Sequence, residues 1–132
     1  MQEDRYEGGR EVAWQLWGKS IFDSKEDFFQ AMQQSSSETS SRFMELALFS
    51  FTNYSRPVLD LKTRCIIQIA ALTALGQLDE LKMYVIAALN IGITEEEILE
   101  TLDQLILYCG LSRVRGALMT AHKTFAERKA TG

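Results

Sequence analysis

Proline occurs once in the 132 residues, at Pro57, and histidine once, at His122. Two cysteines, Cys65 and Cys109, stand far apart with no CxxC pair, so with a single histidine they assemble neither a zinc site nor a vicinal redox couple. Both are expected as buried thiols of a reducing compartment. Basic side chains are outnumbered, 14 against 18 acidic, for a formal charge of −4. No positive field exists to hold a phosphate backbone, which removes nucleic acid as a main partner, and an acidic ligand must be met by local cations. No run approaches the roughly 18 consecutive apolar residues of a membrane span. The opening Met1-Gln2-Glu3-Asp4-Arg5 lacks the basic and apolar regions of a secretory signal, so a cytoplasmic protein is expected.

What remains is a chain dominated by Ala, Leu, Glu, Lys, Gln and Met, with little polar–apolar alternation, which predicts an all-α protein without strands. Seven helices are expected within one domain, residues 1–132. The first spans about Asp4 to Trp17 and stops near Gly18; the second follows a Ser24 cap through Lys25–Met32, with early acids suited to the positive helix end. The serine-rich stretch Ser35–Ser41 is short enough to be a loop rather than a domain linker. A third helix, Arg42 to about Thr52, breaks before Pro57, because the residue preceding proline avoids the helical region.

From Asp60 to Leu75, and again from Glu80 to Ile91, apolar residues occupy nearly every side of the helix. Joined by the short Gly76-Gln77-Leu78-Asp79 turn, the two predict a central antiparallel helical hairpin. Gly92 supplies a stop, and Thr94-Glu95-Glu96-Glu97 is a capping box that opens a helix running to Cys109 and Gly110. A last helix is expected from Ser112 to about Lys129. A chain this short cannot cover both faces of two all-round apolar helices with the amphipathic helices left over. Self-association into a closed homo-oligomer is therefore expected.

Candidate chemistry falls on polar groups in apolar surroundings. Glu80 and Tyr84, four apart, project from one face of a helix. A carboxylate beside a phenol in an apolar wall suits proton transfer, while a first-turn acid and a core aromatic are the structural alternative. Arg64 and Arg56 could grip a carboxylate as planar forks, or Arg64 could pair with Asp60. Cys65 has no histidine near it in sequence and reads as a core thiol rather than a nucleophile. His122 reads as a surface or interface residue. The acids Glu95, Glu96 and Glu97 point in different directions around a helix, so they form a solvated face and imply no metal.

The segment Ser55-Arg56-Pro57-Val58-Leu59-Asp60-Leu61-Lys62-Thr63-Arg64, continued by Ala70-Ala71-Leu72-Thr73-Ala74-Leu75-Gly76, resembles the carboxymuconolactone decarboxylase family. Further matches at that family's spacing are Glu80-Leu81, Ala87-Ala88-Leu89-Asn90, Gly92-Ile93-Thr94, Glu96-Glu97-Ile98 and Tyr108-Cys109-Gly110. Near the N-terminus, Arg5-Tyr6-Glu7-x-Gly9 is similar to its first helix. The resemblance implies an alkyl hydroperoxidase D-like all-α fold, commonly a hexamer built as a trimer of dimers. It also implies a cofactor-free lyase of aromatic catabolism. γ-Carboxymuconolactone loses CO2, and the enolate is reprotonated to the enol-lactone of 3-oxoadipate.

Carried over by position, Glu80 matches the acid of the family's Glu-Leu-x-x-His motif, and Tyr84 stands where that motif has histidine. The implied site is Glu80 as acid/base, Tyr84 as oxyanion donor, Arg64 as clamp for a small acidic organic substrate, and Cys65 facing Tyr84 across the same pocket. The hydroperoxidase branch uses a CxxC pair, a histidine four residues on and a glutamate one helix earlier. Those positions here are Gln77, Glu80, Tyr84 and Cys65, so peroxidase chemistry by that mechanism is excluded. Two alternatives stay open: a divergent, non-catalytic oligomeric member of the family, and a thiol-dependent peroxidase-type protein acting through Cys65 without the CxxC motif.

Overall fold

A computed structural model describes residues 2–34 and 56–131. The loop expected at Ser35–Ser41 and the helix expected at Arg42–Thr52 lie outside the described residues. Among the described residues every regular element is helical and no strand occurs. The chain divides into two compact units, Met1–Leu61 and Lys62–Gly132.

In the first unit, α1 (Gln2–Ala13) passes into a π-helical turn, Trp14–Gly18, and α2 covers Lys25–Gln34. The single helix expected to Trp17 is thus widened over its last turn, where the Lys19 amide donates to the Trp14 carbonyl at 2.8 Å. Gly18 is buried where the chain bends into the turn. A Cβ there would stand 2.5 Å from Trp14 Cε3 and 2.7 Å from Phe28 Cγ, so only glycine lets the two rings close over the backbone. Phe28 then stacks obliquely with Phe29, Phe22 and Trp14 at centroid distances of 4.8, 5.6 and 5.9 Å. The Arg10 guanidinium lies 4.0 Å from the Phe29 ring centre, a cation–π contact on the rim of this cluster. Ser24 caps α2 as its sequence predicts, accepting from the Asp27 amide at 3.1 Å. The Lys25 ammonium pairs with Glu11, tying α2 to α1 and holding the Glu11 carboxyl below the usual carboxylate range.

The second unit contains most of α3 (Leu61–Leu75), then α4 (Leu78–Asn90), α5 (Glu95–Gln104), α6 (Ile106–Cys109) and α7 (Leu111–Thr131). Two glycine stops operate as expected. At the end of α3 the Gly76 amide donates to Thr73 O at 3.1 Å and the Gln77 amide to Leu72 O at 3.0 Å. At the end of α4 the same pair of bonds runs from Gly92 to Leu89 O and from Ile93 to Ala88 O. Both are Schellman closures with glycine at positive φ, +73° and +95°. The capping box at the start of α5 is complete: the Glu97 amide donates to Thr94 Oγ1 and the Thr94 amide to Glu97 Oε1. It is reinforced from α3 by Lys62, whose ammonium sits 2.6 Å from the Glu97 carboxylate and, with the Thr94 amide, holds that carboxyl low.

Three details depart from the sequence reading. The helix expected to run unbroken to Cys109 divides at Leu105, whose amide turns back to Leu102 O in a tight i+3 bond, leaving α6 as a separate single turn. The last helix opens directly after Gly110 rather than at Ser112. The helices α3 and α4 follow each other across the Gly76 turn, but the element on which α4, α5 and α6 all seat closely is α7. The core of the unit is accordingly Leu81, Val85 and Ala88 from α4, Ile98 and Leu102 from α5, and Val114, Ala117, Ala121 and Phe125 from α7. Lys82–Glu127 (2.9 Å) and Lys129–Glu95 (3.1 Å) pin α4 and α5 to α7 at its solvent edge.

Burial all round, expected of α3, is not met among the described residues. Cys65, Ile69 and Thr73 form its buried face, whereas Ala71 and Ala74 are exposed, with Ile67 at 47% and Leu75 at 66% of full exposure. Among the described residues, the apolar character of α3 thus extends well beyond its buried face.

Candidate functional site

The sequence-derived site residues sit on α3 and α4. Glu80 lies in the first turn of α4, after the Gly76 closure, and is exposed to solvent. Tyr84 follows one turn later on the same side of the helix and is half-buried. Between them in sequence, Leu81 turns inward and is fully buried, which anchors the turn that carries both polar groups. Arg64, on α3, is half-buried. Cys65, its neighbour, is fully buried. Among the described residues the carboxylate thus faces water in the first turn, the structural alternative for this position, rather than an apolar wall, and the phenol is the more enclosed of the two. Arg56 and Asp60 are exposed in the segment leading into α3.

Burial pushes the Cys65 thiol up to about 11. Transfer into an apolar interior penalises the thiolate, and the thiolate is the nucleophile, so this position favours an unreactive sulfur. Iodoacetamide should label Cys65 in the folded protein slowly at pH 8, with the rate climbing toward pH 11, as followed by mass spectrometry. The stability consequence has a defined sign. The folded state favours the neutral thiol, so its contribution is complete below the unfolded value of about 8.5 and is lost as pH rises through about 11. Cys65→Ser should flatten that alkaline slope in denaturation experiments. Both cysteines are free thiols, but Cys109, on the single-turn α6 that buries none of its residues, is half-buried rather than buried as expected.

His122 is exposed on α7 and meets Phe125 edge-on at 5.9 Å, in keeping with a surface position. Among the described residues no three His, Cys, Asp or Glu side chains are grouped to hold a metal ion. No described helix is long and apolar enough to cross a membrane. Glu97 serves the capping box and the Lys62 ion pair, Glu95 pairs with Lys129, and Glu96 is exposed.

Residues 38–123 match the carboxymuconolactone decarboxylase family. The chain is 32% identical over 125 residues to the 4-carboxymuconolactone decarboxylase of Acinetobacter baylyi, covering 95% of this chain and 90% of that one. It is also 41% identical over 76 residues to an uncharacterized 15.0 kDa protein of Paracoccus denitrificans, across 56% of this chain and 57% of that protein. A match over most of the helical scaffold, joined to near full-length similarity, places α3, the Gly76 turn and α4 inside a shared framework: the chain belongs to the carboxymuconolactone decarboxylase family.

Proposed function

We propose that the protein is a cytoplasmic lyase that decarboxylates γ-carboxymuconolactone, or a closely related small acidic lactone, without a cofactor in aromatic catabolism. The observation that carries this reading is the similarity along 95% of the chain to a 4-carboxymuconolactone decarboxylase. In the reaction the bond from ring to carboxylate breaks, CO2 departs, and the electron pair runs into the conjugated lactone as an enolate. One proton then restores a neutral ring. An enzyme must grip the carboxylates, stabilise the developing oxyanion and deliver that proton.

Arg64 supplies a planar guanidinium for a carboxylate. Tyr84 supplies a phenol hydroxyl that donates to the enolate oxygen. Glu80 handles the proton, while Cys65, placed at the substrate by its position in the sequence, is fully buried on α3 and is not offered to it. Purified protein mixed with γ-carboxymuconolactone should release CO2, followed spectroscopically through consumption of the lactone. Absence of turnover by the unmutated protein removes the decarboxylase reading and favours the divergent one, for which the loss of the family histidine at Tyr84 is the motivating feature.

The reading includes self-association, as a hexamer built from a trimer of dimers. It rests on apolar surface that is exposed among the described residues. The whole of α6 lacks a buried residue, with Leu107 at 88% and Tyr108 at 78% of full exposure, and Leu111 and the outward face of α3 add to this surface. Subunit contact would also give Glu80 the drier setting that proton transfer prefers. Light scattering should give a mass several times 15.0 kDa. The double variant Leu107→Glu, Tyr108→Glu should shift it toward a single chain. A monomeric unmutated protein at micromolar concentration contradicts the assembly.

A further inference from the structure

The Schellman closures at Gly76 and Gly92 share their hydrogen-bond pattern but differ in their surroundings. Nothing lies within 4 Å of where a Cβ on Gly92 would stand, whereas at Gly76 that space is occupied by the Arg113 guanidinium, its Cζ 3.3 Å away. Arg113 comes from the first turn of α7, more than thirty residues later. Helix α3 has no basic residue in its own last turn, so the negative end of its backbone dipole is answered by this cation from another helix. Two residues beyond the glycine, Leu78 lies against Gly116, 3.7 Å from its Cβ position and about one turn further along α7. The α3–α4 turn is therefore held by α7 at two successive points. No ion pair among the described residues engages Arg113, so its charge is not committed to a carboxylate there.

We propose that Arg113 is a positioning residue: its guanidinium, seated on the Gly76 turn, sets the direction in which α4 leaves that turn and hence where Glu80 is held. The role follows from linkage along the backbone. Glu80 is four residues past Gly76, in the first turn of α4, and the Leu81 amide donates to Gln77 O at 2.9 Å, so a shift of the turn is passed directly to the carboxylate. The functional part of this proposal rests on the reading of Glu80 given above.

Amide hydrogen exchange on the full chain separates the alternatives. In Arg113→Ala, the Gly76, Gln77 and Leu81 amides should exchange roughly two- to fivefold faster, the size of effect a cation at a helix end produces. The Gly92 and Ile93 amides serve as the internal reference and should not change. Arg113→Lys, which keeps the charge but not the plane, should fall between. With lactone substrate, Arg113→Ala should lower kcat severalfold with KM nearly constant, since Glu80 and not the carboxylate grip is displaced. Equal acceleration at both glycine turns would mean general loosening, and no acceleration would mean an idle surface arginine; either overturns the proposal. Faster exchange at Gly76 with an unchanged kcat overturns its link to Glu80. A failure of the decarboxylase reading itself appears separately, as no CO2 release by the unmutated protein, and the exchange comparison then decides whether Arg113 holds the turn.

Discussion

Glu80→Gln should slow CO2 release from γ-carboxymuconolactone by roughly 10²–10⁴-fold, the range for losing a positioned general acid or base. The amide keeps the size and hydrogen-bonding ability of the side chain but cannot carry the proton, so substrate affinity should change little while kcat falls. Stability should be almost unaffected, because Glu80 is exposed. Its favourable position in the first turn of α4 is worth only about 0.3–1 kcal/mol. Tyr84→Phe, lacking only the hydroxyl, should cost about 10²–10³-fold if the phenol meets the enolate oxygen. Turnover that survives Glu80→Gln intact would show that the proton travels by another group, even with the decarboxylase activity itself established.

Leu81→Ala should destabilise the protein by about 3 kcal/mol, within the 2–5 kcal/mol typical of emptying a leucine site in a packed core. Leu81 is completely buried on α4, the helix that packs against α7. Helix backbones limit how far the site can collapse, so the lost contacts are only partly recovered. Met83, two residues on and 44% exposed, provides the comparison: Met83→Ala should stay within about 0.5 kcal/mol in a single chain. Urea denaturation at one fixed protein concentration would measure both, since the stability of an oligomer depends on concentration. A loss below 1 kcal/mol at Leu81 would contradict the tight α4–α7 packing. A large loss at Met83 would point to its burial between copies.

Legibility in the sequence followed range. The Ser24 cap, the Thr94–Glu97 box and the glycine stops at Gly76 and Gly92 were all readable, since each closes through hydrogen bonds between residues at most five apart. The π turn was not. Its i+5 bond at Trp14 depends on Gly18 fitting beneath Trp14 and Phe28, and Phe28 belongs to the next helix. The break at Leu105 was likewise hidden, because Ile98, Leu102, Leu105, Ile106 and Cys109 continue an unbroken helical period through it.

For the site, the order of residues along α3 and α4 sufficed to single out Arg64, Cys65, Glu80 and Tyr84, and to indicate the family. The burial of Cys65 was readable as that of a core thiol, but sequence could not tell that Glu80 faces water, nor that Arg113 reaches the Gly76 turn. The Ser24 and Thr94 caps and the Gly76 and Gly92 stops were settled by the sequence alone because each closes among a few neighbouring residues. Which face of α3 is covered, and that α7 is the seat of α4, α5 and α6, were decided only by tertiary structure, because burial depends on partners distant in the chain and apolar periodicity carries no label for the partner it will meet.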